Sequence, residues 1–261
     1  MAKYLVISDI HQDDRALEQV LKNAKEYDAV WCLGDIVGHK DYVLEKYDNK
    51  YSGDAHACYE MLRHVNAQCI IGNWEMWLLA PEKDIDKFSD QHKYAEELDH
   101  ARKVFGENGI LTWIKTWEEN RIFEPFTLVH GSIDNIDNNG YQMEAPCAVY
   151  PLPGHKNLIK QIVLQKKIST PHMLFGHTHI PGFFEQNGHI MPEWHPLKVD
   201  DLYKEQEYNI FNFTLQFFIN PGSIGLNRTD DRRDYRKNLS STALEIDTKK
   251  EIFRYLPVVI D

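Results

Sequence analysis

Tyr4-Leu5-Val6-Ile7-Ser8-Asp9-Ile10-His11 carries two messages in eight residues. Tyr4 to Ile7 is a continuous apolar run rich in β-formers, which reads as a buried strand. Asp9 and His11 follow two apart, so at a strand end both side chains point to one side. Just beyond, Asp13 or Asp14 can cap a helix whose Ala16, Leu17, Val20, Leu21 and Ala24 form one apolar face. Ala29 to Leu33 is a second buried strand, and polar Lys40 to Gly53 reads as a loop. Asp54 can cap a further helix carrying Ala57, Met61, Leu62 and Val65, and Gln68 to Ile71 is a third short strand. Strand, helix, strand, helix, strand is the pattern of an α/β sheet.

Trp74 to Trp117 reads as mostly helical, with a break at Pro81. Phe126 to Val129 is a strand that ends in His130-Gly131. Asp134 to Gly140 is rich in Asn and Asp and reads as a loop, and His155 to Lys167 reads as a helix. Met173 to Phe175 is a strand that ends in Gly176-His177-Thr178-His179. Strand-like runs follow at Gly182 to Glu185, Leu215 to Ile219, Thr242 to Ile246 and Ile252 to Val259. The sequence shows no internal repeat, low-complexity tract or linker, so one domain over residues 1–261 is the expectation.

Composition narrows the function classes. The 261 residues are 43% hydrophobic and 26% charged, which is globular rather than disordered. Lys plus Arg is 29 and Asp plus Glu is 40, a formal charge of −11, which makes non-specific nucleic-acid binding and a nuclease poor candidates. An anionic substrate stays open, because bound metal ions reverse the sign locally. No apolar run is long enough to span a membrane, and Met1 to Ile7 is too short for a signal peptide and runs straight into Ser8-Asp9 without a small-residue cleavage site, so neither a span nor a leader is expected. Cys32, Cys58, Cys69 and Cys147 form no CxxC pair and read as reduced core thiols, which points to the cytoplasm.

Five short motifs stand directly after apolar runs, where loops gather at the carboxyl edge of a sheet. They are Asp9-Ile10-His11, Gly34-Asp35-Ile36-Val37-Gly38, Gly72-Asn73-Trp74-Glu75, Val129-His130-Gly131 and Gly176-His177-Thr178-His179. Any one of them fits a solvated strand end. Together they offer seven candidate metal ligands: Asp9, His11, Asp35, Asn73, His130, His177 and His179. Oxygen and imidazole donors without a thiolate suit manganese, iron, zinc or nickel better than calcium. A shared carboxylate holds two ions about 3.5–4 Å apart, the spacing used for in-line displacement at phosphorus.

The set resembles the calcineurin-like metallophosphoesterase superfamily, from Asp9 through His179, and Asn220-Pro221-Gly222-Ser223 extends the likeness. Gly34-Asp35-Ile36-Val37-Gly38 is most similar to its small prokaryotic branch of phosphodiesterases and diadenosine polyphosphate hydrolases. The resemblance implies an α/β fold of four layers, αββα, with two mixed sheets face to face and helices outside. It implies Asp9, His11 and His179 on a first metal, Asn73, His130 and His177 on a second, and Asp35 between them. A hydroxide held by the two ions, manganese or iron foremost, would attack phosphorus, with Asp35, Asn73 and His130 carrying the catalysis. Phosphodiesters or nucleotide polyphosphates are the implied substrates; a metal-binding scaffold that has lost turnover is the alternative.

One position departs from the family, which often has His after the Gly-Asn pair. Here it is Trp74, whose indole N–H donates a hydrogen bond but no proton to a leaving group. Four residues are candidate substrate contacts: Asn73, His39 directly after Gly38, His56 in the first turn of a helix, and Arg228. Glu75 could orient a ligating histidine. Trp113 and Trp117 read as core packing, and His64, His92, His100, His155, His172, His189 and His195 carry no spacing signal.

Overall fold

The computed structural model describes residues 2–80, 94–131, 170–187, 193–197, 207–209, 215–225 and 241–258. The amino-terminal part runs β1 (Lys3–Ile7), α1 (Asp14–Leu21), β2 (Ala29–Cys32), α2 (Lys40–Lys46), α3 (Ala55–His64), β3 (Gln68–Cys69) and α4 (Asn73–Leu79). Next come α5 (Ala95–Glu107), α6 (Ile110–Ile114), β4 (Asn120–Phe123), β5 (Phe126–Val129) and β6 (His172–Leu174). The chain continues with β7 (Gly182–Asn187), β8 (Glu193–Pro196), β9 (Glu207–Asn209), β10 (Leu215–Asn220), β11 (Ser241–Asp247) and β12 (Ile252–Val258).

These strands form two mixed sheets of six, in the orders β3-β2-β1-β11-β12-β9 and β4-β5-β6-β10-β7-β8. In the first, β1, β2 and β3 are parallel. In the second, β5, β6 and β10 are parallel. The alternation of side chains along each strand assigns the layers. Val6 and Trp31 face the second sheet, where they meet Phe126, Leu128, Leu174, Phe217 and Ile219 in one buried cluster. Leu5, Ile7, Val30 and Cys32 face the other way, against Leu17 of α1, Tyr59 and Leu62 of α3, Trp77 of α4 and Phe105 of α5. The continuous apolar runs read from sequence are therefore strands buried on both faces. On the far side of the second sheet Val129, Met173, Phe175, Phe184 and Phe218 form a third cluster.

The predicted caps hold: Asp13 accepts from Ala16 N at 3.0 Å and Asp54 from Ala57 N at 3.0 Å. Trp117 is buried and Trp113 packs against the same core, as read. One expectation fails. Lys40 to Gly53 is not all loop, because residues Lys40–Lys46 are helical. Two contacts pin this polar segment: Val43 is fully buried, and the Lys46 ammonium meets Asp13 at 2.6 Å. The expected loop Asp134 to Gly140, the expected helix His155 to Lys167, and Pro81, Cys147 and Arg228 lie outside the described residues. Cys32, Cys58 and Cys69 are buried free thiols. No helix among the described residues is long and apolar enough to cross a membrane.

Candidate metal centre

All five motif strands are among the parallel members of the two sheets, so their carboxyl ends bring the five loops together. The backbone is bent hard there. Asp9, His11, Asp35, His177 and His179 have φ of 53°, 46°, 56°, 65° and 60°. Left-handed non-glycine residues cost on the order of 1–3 kcal/mol each and persist only where the surroundings fix them. Gly176 allows the close approach, since a Cβ there would lie 2.0 Å from Ser8 Oγ and 2.7 Å from Asp9 Oδ2.

Two donor groups result: Asp9 with His11 and His179, and Asp35 with His130 and His177, each with its ligand atoms within 4.8 Å of one another. In the first, His11 Nε2 stands 2.9 Å from His179 Nε2, which is 3.3 Å from Asp9 Oδ1. The second has His130 Nε2 at 3.2 Å from Asp35 Oδ2 and 3.3 Å from His177 Nδ1. Asn73 Oδ1 joins that group, 3.1 Å from His130 Nε2 and 2.8 Å from His177 Nδ1. Asp9 ties the groups together by accepting the backbone N–H of His177 at 3.0 Å. All seven residues predicted as ligands are thus brought into one place. Asn73 departs from the loop expected of it, because it is the first residue of α4.

The tautomers follow from the partners. A carbonyl oxygen only accepts, so His11 Nδ1–H donates to Val37 O at 3.2 Å and His130 Nδ1–H to Leu33 O at 2.7 Å. At His11 this leaves the Nε2 lone pair facing His179 and Asp9, while His130 turns its Nε2 toward Asp35, Asn73 and His177. Converging lone pairs repel unless a cation or a proton lies between them, so the donor set fits metal ions. Burial, then the neighbouring His179 and His39, pushes the His11 pKa well below its ordinary value, so it stays neutral. Burial also works against a charged His130, but the Asp35 and Asp9 carboxylates and the Leu33 hydrogen bond outweigh it and raise His130 to about 10. Burial lifts Asp35 to about 6 while His130 draws it back, so in the metal-free cluster the proton resides on His130 beside a charged Asp35.

Two buried charges hold the loops: Glu75, expected from sequence to orient a ligating histidine, and Lys46, which the sequence did not mark. Among the described residues Glu75 hydrogen-bonds backbone N–H groups and a tyrosine hydroxyl rather than a histidine. It accepts from Asp35 N at 2.8 Å, Ile36 N at 2.9 Å, Gly72 N at 3.0 Å and the Tyr59 hydroxyl at 3.1 Å. One carboxylate therefore joins the Asp35 loop, the Asn73 loop and α3. Lys46 donates to Asp13 Oδ2 and Ser241 Oγ, both at 2.6 Å, and to the carbonyls of Ile224 and Gly225. The same two residues send their N–H groups to the carbonyls of Ser8 and Asp9. Asn220 completes the frame, donating to Gly176 O and Thr178 Oγ1.

Trp74 is buried, and Gly38 lies flat on its indole, where a Cβ would come within 2.3 Å of the ring. His39 takes the accessible place. Its ring is 4.8 Å from His11, 4.9 Å from Trp74, 5.2 Å from Tyr94 and 6.3 Å from His179, centroid to centroid. His56, also predicted from sequence, stands outside both donor groups in a cleft with His100, which the sequence did not mark.

The chain belongs to the calcineurin-like phosphoesterase superfamily, whose domain profile matches residues 2–241. It is 24% identical to the uncharacterized protein MJ0912 of Methanocaldococcus jannaschii, over 94% of this chain and 88% of that one. A metallophosphoesterase structure from Sphaerobacter thermophilus superposes with a TM-score of 0.69 at 20% identity, over 99% of this chain and 89% of its own. A second structure, described as a proposed diadenosine tetraphosphatase, gives a TM-score of 0.51 at 14% identity over 100% and 95%. These two likenesses show the fold.

Two predictions follow from this geometry. Metal uptake must expel the His130 proton, so at pH 7 binding releases protons, and affinity falls about tenfold per pH unit as the pH drops. Calorimetry in buffers of different ionisation heat measures the release; uptake without it contradicts a protonated His130. Glu75→Ala strands four donors and is expected to cost at least about 3 kcal/mol in urea unfolding. A loss under about 1 kcal/mol would remove Glu75 from this role.

Proposed function

We propose that this protein is a phosphoesterase that works with two metal ions on phosphodiesters or nucleotide polyphosphates, diadenosine polyphosphates and ATP included. One observation carries the reading: seven oxygen and imidazole donors from five loops converge as two adjoining groups. In this proposal Asp9, His11 and His179 hold one ion, Asn73, His130 and His177 the other, and Asp35 lies between them. The ions, when bound, supply Lewis-acid polarisation and lower the pKa of water. Manganese and iron are the proposed pair, with zinc or nickel able to fill the same ligands.

The chain's own residues set the rest. His130 and His11 are fixed in orientation by the Leu33 and Val37 carbonyls, so their Nε2 atoms are aimed before any ion arrives. Trp74 N donates to Asp35 Oδ1 at 2.9 Å, which orients the carboxylate proposed to be shared. The Trp74 indole is buried and cannot protonate a leaving group. We assign His39 to the substrate, since its partly exposed ring stands against His11 of the first donor group and over the buried Trp74. Arg228 remains a proposed phosphate contact on sequence grounds alone.

Chelation is expected to abolish hydrolysis of an aryl phosphodiester, and manganese to restore it better than magnesium, which accepts imidazole poorly. Full activity after exhaustive chelation contradicts the proposal; metal uptake with no turnover on any phosphate ester favours a scaffold. Asp35→Asn should lower kcat by at least about 10³-fold, because a charge between two cations is lost. Near-native activity with both ions bound would remove Asp35 from the shared position. Without an acid at position 74, activated diesters and anhydrides should outpace alkyl monoesters, for which a proton donor is worth typically about 10²–10⁴-fold. A preference for alkyl monoesters in kcat/KM would reject the leaving-group argument.

A further inference from the structure

A cleft of about 420 Å³ runs beside the donor groups, and none of the seven proposed ligands lines it. Its walls are continuous with them. Gln12 follows His11 in the chain, Lys40 follows His39, and Val37 supplies the carbonyl that fixes His11. The long wall is α5. That helix begins beside the donor groups, where Tyr94 packs on His39 and Trp74 with centroids at 5.2 Å and 4.8 Å. Glu97, Ala101 and Val104 succeed Tyr94 at helical spacing, so the face that starts at His39 becomes the cleft wall. On the opposite side the 52–56 segment is tied down, with Gln12 Nε2 donating to Ser52 O at 2.8 Å and Asp54 N to Gln12 O at 2.9 Å.

The lining states what fits. Val37, Ala101, Val104 and Phe105 make an apolar floor. Asp54, Glu96 and Glu97 supply carboxylates at the rim, with Lys40, His56 and His100 among them. Carboxylates accept hydrogen bonds from hydroxyl and amine groups and repel phosphate, so a train of further phosphates is the wrong occupant. The volume lies within the roughly 300–1,000 Å³ of small-ligand sites. We infer that this cleft binds the nucleoside esterified to the attacked phosphate: a flat base with hydroxyl and ring N–H donors. This inference rests on the phosphoesterase reading above, and it gives His56, a candidate substrate contact in the sequence, a place in a nucleoside site.

The test compares two diesters with one leaving group. The manganese-loaded enzyme is assayed with the p-nitrophenyl ester of thymidine 5′-monophosphate and with methyl p-nitrophenyl phosphate. The nucleoside ester is expected to have at least about tenfold higher kcat/KM, a difference worth about 1.4 kcal/mol of transition-state binding. Val104→Trp, which fills the cleft, should bring that ratio toward one. Glu97→Ala, a milder change on the rim, should lower it by a smaller factor if Val104→Trp does not fold. A wild-type ratio near one, or a ratio unmoved in a folded variant, overturns the subsite while leaving the phosphoesterase reading intact. If neither ester is hydrolysed, the phosphodiester branch of that reading fails, and calorimetry with thymidine 5′-monophosphate decides the cleft alone. Binding weakened at least about tenfold by Val104→Trp supports it, and no binding by the wild type ends it.

Discussion

Converging lone pairs are the constraint from which the rest of this molecule is understood. His11, His179 and Asp9, and beside them His130, His177, Asn73 and Asp35, turn acceptor atoms toward common points at 2.8–3.9 Å. Such an arrangement repels itself. It is held by a left-handed backbone at five of the seven residues and by buried charges behind the loops. Glu75 gathers three backbone N–H groups where the chain turns most tightly, and Lys46 clamps the loops that present Asp9 and His11. The frame thus pays a local cost for a site that positive charge relieves, as strain at functional sites requires.

The replacement of a family histidine by Trp74 reaches further than one side chain. The indole is too large and apolar to stay at the surface of the site, and it sinks beneath Gly38 with Trp77 and Tyr94 around it. His39 stands over it, in a left-handed conformation with φ of 56°. An aromatic support and a single partly exposed imidazole therefore occupy one side of the first donor group. That side leads along α5 toward the cleft through Tyr94, which packs on both Trp74 and His39.

Much of this was legible in the sequence, and the reasons are local. Strands β1, β2, β5 and β6 are buried on both faces, so they read as unbroken apolar runs. The seven proposed metal donors were legible because their chemistry resides in residue type at strand ends, and the structure brings them together. What was missed depends on distant partners. Helix α2 looked like a loop because its anchor, Lys46, is stabilised by Asp13, 33 residues earlier in the chain. The pairing of β4, β8 and β9 was missed because these are short polar strands, all three at sheet edges, without an apolar pattern of their own. Glu75 was read as a partner for histidine, yet its partners are backbone N–H groups, which every residue carries and no sequence displays. His100 meets the cleft only through the path of α5, which spacing alone does not reveal.

The central claim is that these seven donors hold two ions in one shared site. The most direct measurement is metal content per chain after manganese loading, together with the magnetic coupling between the ions by electron paramagnetic resonance. The account predicts two ions per chain with the spectrum of a coupled pair, reduced to one or none in Asp35→Asn. A single ion per chain, or two that show no coupling, would contradict it.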